Sequence, residues 1–348
     1  MEKYILNETP VRTANNFGIN NIELILDVPK MHKEFENFSI ETNDIDKIKF
    51  EISSDNVTQS ENRIGLERRI NKTVKIIIPE NVQVEENIKL EFELDDENEL
   101  LIENIEIILE KNSSANFQIV YTSSNLEEAF HSGELNINLK ENAKAKVVVA
   151  NLVKNTNNFY EMKNVLEKNS ILNYTIAEIG GNNKISNYFS QLKGENAENL
   201  LNVIYLGKEK ETIDINYNIE TYGERTKAYI NVQGAINDYA KKNFKGTIDF
   251  KEGSKKAIGK ENENCMILSP YAKSKSLPML LCHEEEVEGE HGVASGKIDE
   301  NKLFYIMTKG ISYEDARKLI IKANFNDIIR KINDESLEKL IDEEINKI

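Results

Sequence analysis

One stretch of the chain concentrates the side chains that could hold a metal or move a proton. It runs from Asn262-Glu263-Asn264-Cys265, through Leu280-Leu281-Cys282-His283, to Glu288-Gly289-Glu290-His291-Gly292. Both cysteines, two of the four histidines and six glutamates fall in it. Thiolate and imidazole are soft or borderline donors, suited to zinc and to iron–sulfur clusters. The spacing makes no closed site: there is no Cys-x-x-Cys, and Cys282 comes 17 positions after Cys265. Four ligands would therefore come partly from elsewhere. Cys282, beside Leu280 and Leu281, reads as a small buried hydrophobe, and the glutamate run as a solvated turn. His291 is the better ligand candidate, because a neighbouring carboxylate such as Glu290 can orient an imidazole. No phosphate loop, dinucleotide fingerprint, nucleophile elbow or His-Glu-x-x-His sequence is present, and Gly180-Gly181 reads as a turn. With no tryptophan and four histidines, a conventional enzyme site is not expected.

The elements that must position these residues follow from a repeat. Short polar punctuations begin at Glu85, Glu110, Lys140, Glu167, Gly194, Gly223 and Lys251, at intervals of 25, 30, 27, 27, 29 and 28. Each precedes a run with the two-residue rhythm of a strand, such as Ile88, Leu90, Phe92 and Leu94 against Lys89, Glu91 and Glu93. Two short strands and two turns fill one period, and such a unit cannot cover its own apolar face. Neighbouring coils must stack and share a core. The pattern predicts a mainly β fold, a β-solenoid of parallel strands; an antiparallel sandwich could use such strands but would not give the recurrence.

The solenoid is expected over residues 46–305, with residues 1–45 as a cap over the first coil and 306–348 as a small helical domain. Ser312-Tyr313-Glu314-Asp315 resembles a capping box. Ala316, Leu319, Ile320 and Ala323, then Ile328, Ile329 and Ile332, fall at helical spacing. A further helix starts at Asp334 and carries Leu337, Leu340, Ile341 and Ile345. This stripe either packs on the solenoid or docks another protein.

The balance of 44 basic against 60 acidic residues gives a net charge of −16. That argues against a nucleic-acid surface or anionic lipid. Two cysteines fit a reducing compartment. The N-terminus lacks the pattern of a signal peptide, and no apolar run is long enough to cross a bilayer. The expectation is a cytoplasmic protein.

The run Val287-Glu288-Gly289-Glu290-His291-Gly292-Val293-Ala294-Ser295-Gly296-Lys297-Ile298-Asp299, continuing into Leu303-Phe304-Tyr305-Ile306-Met307-Thr308-Lys309-Gly310-Ile311-Ser312 and Ala316-Arg317, resembles the SufB/SufD family of SUF iron–sulfur cluster assembly scaffolds. Asn7-Glu8-Thr9-Pro10-Val11-Arg12-Thr13 is similar to the start of shorter members. The resemblance implies a right-handed parallel β-helix with a C-terminal helical domain and a non-enzymatic role. It implies pairing through the β-helix with SufB or with a second copy, as a dimer, and docking of the SufC ATPase through residues 312–348. No firmly bound cofactor is implied, only a transient iron–sulfur cluster or iron. Cys265 falls where SufB-type members place a cysteine tied to cluster formation, and His291 matches the interface histidine of both types. Cys265 and His291, with Glu290, are thus the implied transient ligands at the dimer interface. Gly292 is the SufD-like choice, whereas Gly289 stands where SufD-like members often have cysteine, and Lys309 replaces the usual arginine. The resemblance is strongest to SufD. A SufB-like homodimer that bears the cluster, a purely architectural subunit, and a solenoid enzyme acting on polysaccharide are the competing readings. The last lacks an evident carboxylate groove.

Overall fold

Most of the polar punctuations are corners at which the chain turns into a new strand. In the computed structural model, which describes residues 2–13, 15–29, 33–53, 63–66, 69–124 and 126–348, Asn112, Asn142, Asn169 and Asn196 take the left-handed conformation, with φ of 58°, 61°, 55° and 58°. Asparagine tolerates that region better than most residues bearing a β-carbon. The amides stack from corner to corner. Asn112 Nδ2 donates to Asn81 Oδ1 (2.9 Å), Asn142 to Asn112 (2.8 Å), Asn169 to Asn142 (2.9 Å) and Asn196 to Asn169 (2.9 Å). Arg225 Nε continues the ladder to Asn196 Oδ1 (3.1 Å). One punctuation is misplaced: 85–87 lies inside a strand, and the corner of that coil is at Pro79–Val82.

Strands β1 (Glu2–Leu6) and β2 (Ile22–Leu26) form a separate antiparallel pair. Then follow β3 (Phe38–Glu41), β4 (Lys49–Ser53), β5 (Lys72–Ile78), β6 (Gln83–Leu94), β7 (Leu100–Leu109), β8 (Ser114–Ser123), β9 (Ala129–Leu139), β10 (Lys144–Asn151), β11 (Thr156–Leu166) and β12 (Ile171–Glu178). The series ends with β13 (Asn183–Leu192), β14 (Glu198–Gly207), β15 (Thr212–Thr221), β16 (Lys227–Ile236), β17 (Lys241–Phe250), β18 (Ile258–Ile267), β19 (Lys273–Cys282) and β20 (Glu288–Lys297). From β5 onward the strands alternate between two parallel sheets, giving a β-solenoid of about eight coils. One sheet runs from β6 to β20 through the even-numbered strands, the other from β5 to β19 through the odd-numbered ones. Between them lies the core: Ile88, Leu90, Phe92 and Leu94 are each 0 % exposed.

The first coil is closed by the chain that precedes it. β3 and β4 add antiparallel to β6 and β5. Phe35 and Ile48 are buried against the core, and the Phe38 ring lies 4.6 Å from Phe92. Residues 2–28 do something else. Leu6, Ile22 and Leu26 pack with Phe130, Phe159 and Ile185, which point outward from the odd-numbered sheet and need an apolar cover. Asn7 anchors this segment: its Nδ2 donates to Asp214 Oδ1 (2.7 Å), while Lys245 Nζ donates to Asn7 O (2.8 Å) and Asp214 Oδ1 (2.5 Å). Parts of the expected 1–45 cap, residues 1, 14 and 30–32, lie outside the described residues.

Three helices close the chain, α1 (Glu300–Met307), α2 (Tyr313–Ile329) and α3 (Glu335–Ile345). Asp299, Ser312 and Asp334 cap them, each accepting from backbone N–H groups of the first turn. The capping box at Ser312 is altered, since Ser312 Oγ also donates to Asp315 Oδ2 (2.6 Å). Ile321, Phe325, Ile328, Ile341 and Ile345 pack on Val148, Ala150, Ile204 and Leu206, on the outer face of the even-numbered sheet. Part of the expected stripe faces the other way: Leu319 is 46 % and Leu340 41 % exposed. Ile321 and Phe325 take the inward positions instead, so α2 is apolar on two sides. No helix among the described residues is long and apolar enough to cross a membrane.

Candidate functional site

The sequence-selected residues sit on the last two coils, in adjacent strands of the even-numbered sheet. Cys265 is on β18 and Glu290 and His291 are on β20, where the pairing is parallel and in register. Side chains alternate across a strand, and the interior positions of β18 are Gly259, Glu261, Glu263 and Cys265, all buried. Their register partners are Gly289, His291, Val293 and Ser295. His291 therefore faces inward above Glu261, and Ser295 lies above Cys265. Four residues, about 13 Å along the strand at ~3.3 Å per residue, separate the positions of the thiol and the imidazole. Stacking does not bring Cys265 and His291 together within one chain. Glu290 points to the outer side, where it pairs with Lys260 (3.2 Å).

Cys265 is 3 % exposed. Above it Ser274 Oγ and Ser295 Oγ share a hydrogen bond of 3.0 Å, and below it the ring of Tyr205 lies across Gly234, where any β-carbon would collide with that ring. Burial pushes the thiol pKa up, and the Lys242 ammonium only partly opposes this. A metal ligand or nucleophile must be the thiolate, so the isolated chain holds Cys265 in its unreactive form. Beside it is a dense polar group that the sequence reading missed. Glu263 accepts from Lys242 Nζ (2.5 Å), Tyr205 Oη (2.7 Å) and Ser276 Oγ (2.8 Å), with the glutamate and lysine side chains both 0 % exposed. Burial raises the Tyr205 phenol well above its ordinary range.

This group belongs to a polar line through the otherwise apolar interior. Tyr121, Asn151, Glu178, Tyr205, Gly234, Cys265 and Ser295 occupy one register position in successive coils. Deeper in the stack Glu103 accepts from Tyr121 Oη (2.8 Å) and lies 3.0 Å from His131 Nε2, all of them buried. Charges at interior positions are costly without partners, which is why alternation alone gives no reason to look for them there. The signal available was a charged residue on the apolar parity of a strand, as at Glu261 and Glu263.

One other expectation reverses. Cys282, read as a core residue, is exposed, because its strand belongs to the terminal coil and no further coil covers it. The glutamate run does form a turn, in which Glu284 accepts from the Gly253 N–H. His283 approaches Asp249 at 3.5 Å and stays largely exposed. No group of three or more His, Cys, Asp or Glu side chains able to hold a metal occurs among the described residues. A ligand set built on Cys265, His291 or Glu290 would take its further donors from beyond the described residues.

Comparison with known proteins gives the context. The family model for the SUF system FeS cluster assembly SufBD core domain matches residues 92–324. The chain is 22 % identical over 273 residues to the iron–sulfur cluster assembly protein SufD of Bacillus subtilis, covering 78 % of this chain and 62 % of that protein. It is 26 % identical over 167 residues to SufD of Escherichia coli, covering 47 % and 38 %. To SufB of Bacillus subtilis it is 24 % identical over 254 residues, covering 71 % and 53 %. The matched part thus spans less than two thirds of each of these relatives.

Proposed function

The chain belongs to the SufB/SufD family of SUF iron–sulfur cluster assembly proteins and is SufD-like, and on that premise we propose that it is a non-enzymatic scaffold subunit acting in the cytoplasm. Its open β-helix end pairs with a SufB-type subunit or a second copy, and α2 and α3 dock the SufC ATPase. The observation that carries the pairing is the terminal coil. Among the described residues β19 and β20 each pair on one side only, and β20 exposes eight of its ten residues, so both sheets offer an edge for continuation. The relatives of this chain are named as assembly proteins.

Cys265, His291 and Glu290 serve as transient ligands for iron or a nascent cluster, which is cargo here. They do so with donors from the partner, after the terminal coil moves enough to uncover the thiol. Anaerobic reconstitution with iron and sulfide, with and without a SufB partner, tests this. Loss of cluster in Cys265→Ser and His291→Ala is expected, and wild-type assembly by both removes the ligand assignment. Docking of the ATPase is supported by the second apolar side of α2, with Tyr313 46 % and Leu319 46 % exposed. Leu319→Glu is expected to abolish ATPase capture in a pull-down while leaving the melting temperature unchanged. Undiminished capture would refute that surface.

A second reading, a purely architectural subunit, is favoured by the burial of Cys265. Wild-type growth supported by a cysteine-free chain would select it.

A further inference from the structure

Several lysines of the last coils meet a carboxylate: Lys227 pairs with Glu198 (3.3 Å), Lys251 with Asp249 (2.5 Å) and Lys260 with Glu290 (3.2 Å). Lys297, at the end of β20, and Lys302, on α1, have no such partner among the described residues. Both line one cleft, and so does Asn324 of α2. The Asn324 Nδ2 is shut off from solvent and has no hydrogen-bond partner among the described residues. Donors cut off from water are nearly always given an acceptor, so this one is placed to receive an oxygen from outside the chain.

The cleft lies where α1 and α2 meet the end of the even-numbered sheet, and its volume is about 730 Å³. Small-molecule sites commonly enclose roughly 300–1,000 Å³. The apolar lining comes from four places: Met266 on β18, Ile298 in the link to α1, Ile306 on α1 and Ile320 on α2. These side chains and Asn324 are half-buried, whereas Lys297 and Lys302 are exposed. Asp299 is the only carboxylate of the lining among the described residues. It is committed to capping α1, where it accepts from the Asn301 and Lys302 N–H groups. The cleft thus offers an apolar wall, one free amide donor and two unpaired ammonium groups toward solvent.

We propose that this cleft binds a small amphipathic anion, an apolar body ending in an acidic group. The body displaces water from Met266, Ile306 and Ile320. The Asn324 amide donates to an oxygen of the ligand, and Lys297 and Lys302 meet the negative head. A neutral apolar ligand would leave both ammonium groups unused, and a cationic one would be repelled by them. The site needs neither the open sheet edges nor Cys265, so it stands apart from the assembly reading. Leu319 also lines the cleft and belongs to the face assigned above to the ATPase. Variants of Lys297, Lys302 and Asn324, which leave that residue in place, therefore carry the test.

Fluorescence titration of the full chain with anilinonaphthalene sulfonate, an aromatic amphipathic anion, tests the site, and dodecanoate supplies the aliphatic arm. The wild type is expected to bind the dye, and dodecanoate below its micellar concentration to displace it. Dodecyltrimethylammonium, with the same chain and the opposite charge, is expected to leave the dye in place. The double variant Lys297→Glu with Lys302→Glu, and separately Asn324→Asp, each weaken binding by at least about tenfold, the scale of losing a charge-assisted contact to a partly desolvated anion. Because both lysines are exposed, the melting temperature of the double variant should equal the wild type's, which separates lost binding from lost folding. No binding by the wild type, wild-type affinity in either variant, or displacement by the cation as readily as by dodecanoate overturns the proposal.

Discussion

The two ends of the coil stack are built from the same repeat and terminate in opposite ways. At the first coil the chain folds back over itself: β3 and β4 cover the sheet edges, and Phe35, Phe38 and Ile48 cover the core. At the last coil β19 and β20 end in open edges, and inward-facing residues such as His291 and Cys282 are exposed. Interior composition changes in parallel. Ile88, Leu90, Phe92 and Leu94 fill the first coil, whereas Glu261, Glu263 and Cys265 occupy the equivalent face of β18. A solenoid must do something about its final edge. This one seals the end nearer the N-terminus with its own chain and leaves polar chemistry at the other.

The contrast can be broken most sharply in stability. Phe92→Ala at the sealed end removes a ring stacked 5.1 Å from Tyr121 and should cost about 4–5 kcal/mol in denaturant unfolding. Val293→Ala on β20 should cost under about 1 kcal/mol, and equal costs would mean that the ends are equally packed. Next in size, Lys242→Met strands Glu263 without its counter-charge and should cost about 3–4 kcal/mol, most of it regained by adding Glu263→Gln.

A pH effect sharpens the comparison between the two ends and the middle. Burial raises the pKa of Glu178, midway along the stack. The fold thus favours the neutral form: the stability linked to this group is complete below the ordinary carboxyl range and is lost as pH rises through the raised value. Glu178→Gln should therefore gain on the wild type in chemical denaturation as pH rises above the ordinary carboxyl range; a constant difference would contradict the assignment. The smallest effect is kinetic. Iodoacetamide should modify Cys282 first and Cys265 more than about tenfold more slowly in the native state, and equal rates would show that the terminal coil does not protect the thiol.

Much of the architecture was legible because it depends on local chemistry. Asparagine at a left-handed corner recurs with the coil, so counting from Asn112 to Asn142, Asn169 and Asn196 recovers the period directly. The helix caps at Ser312 and Asp334 were legible for the same reason. The site was legible only in part. Sequence selected His291 and Cys265 as chemistry on neighbouring coils, but the four-residue offset between them follows from strand register, which depends on corner lengths. Glu261 drew no attention and Glu263 stood only as one glutamate of the donor-rich stretch, because glutamate in an alternating strand ordinarily faces water. Their inward position needs Gly246, Lys242 and Ser276 on the opposite sheet, and no periodicity links those residues to them.

The asparagine ladder has a consequence for how the chain acquires its shape. Each corner is tied to one about 30 residues earlier, as Asn142 is to Asn112, and most strand pairs join neighbouring coils in the same way. A newly made coil can therefore dock as soon as the one before it is in place, without waiting for distant sequence. Because synthesis begins at the sealed end, the stack can grow like a zipper as it leaves the ribosome, with a finished template always available. The unpaired edge then travels with the growing tip and comes to rest on the final coil, where a second subunit can take it up.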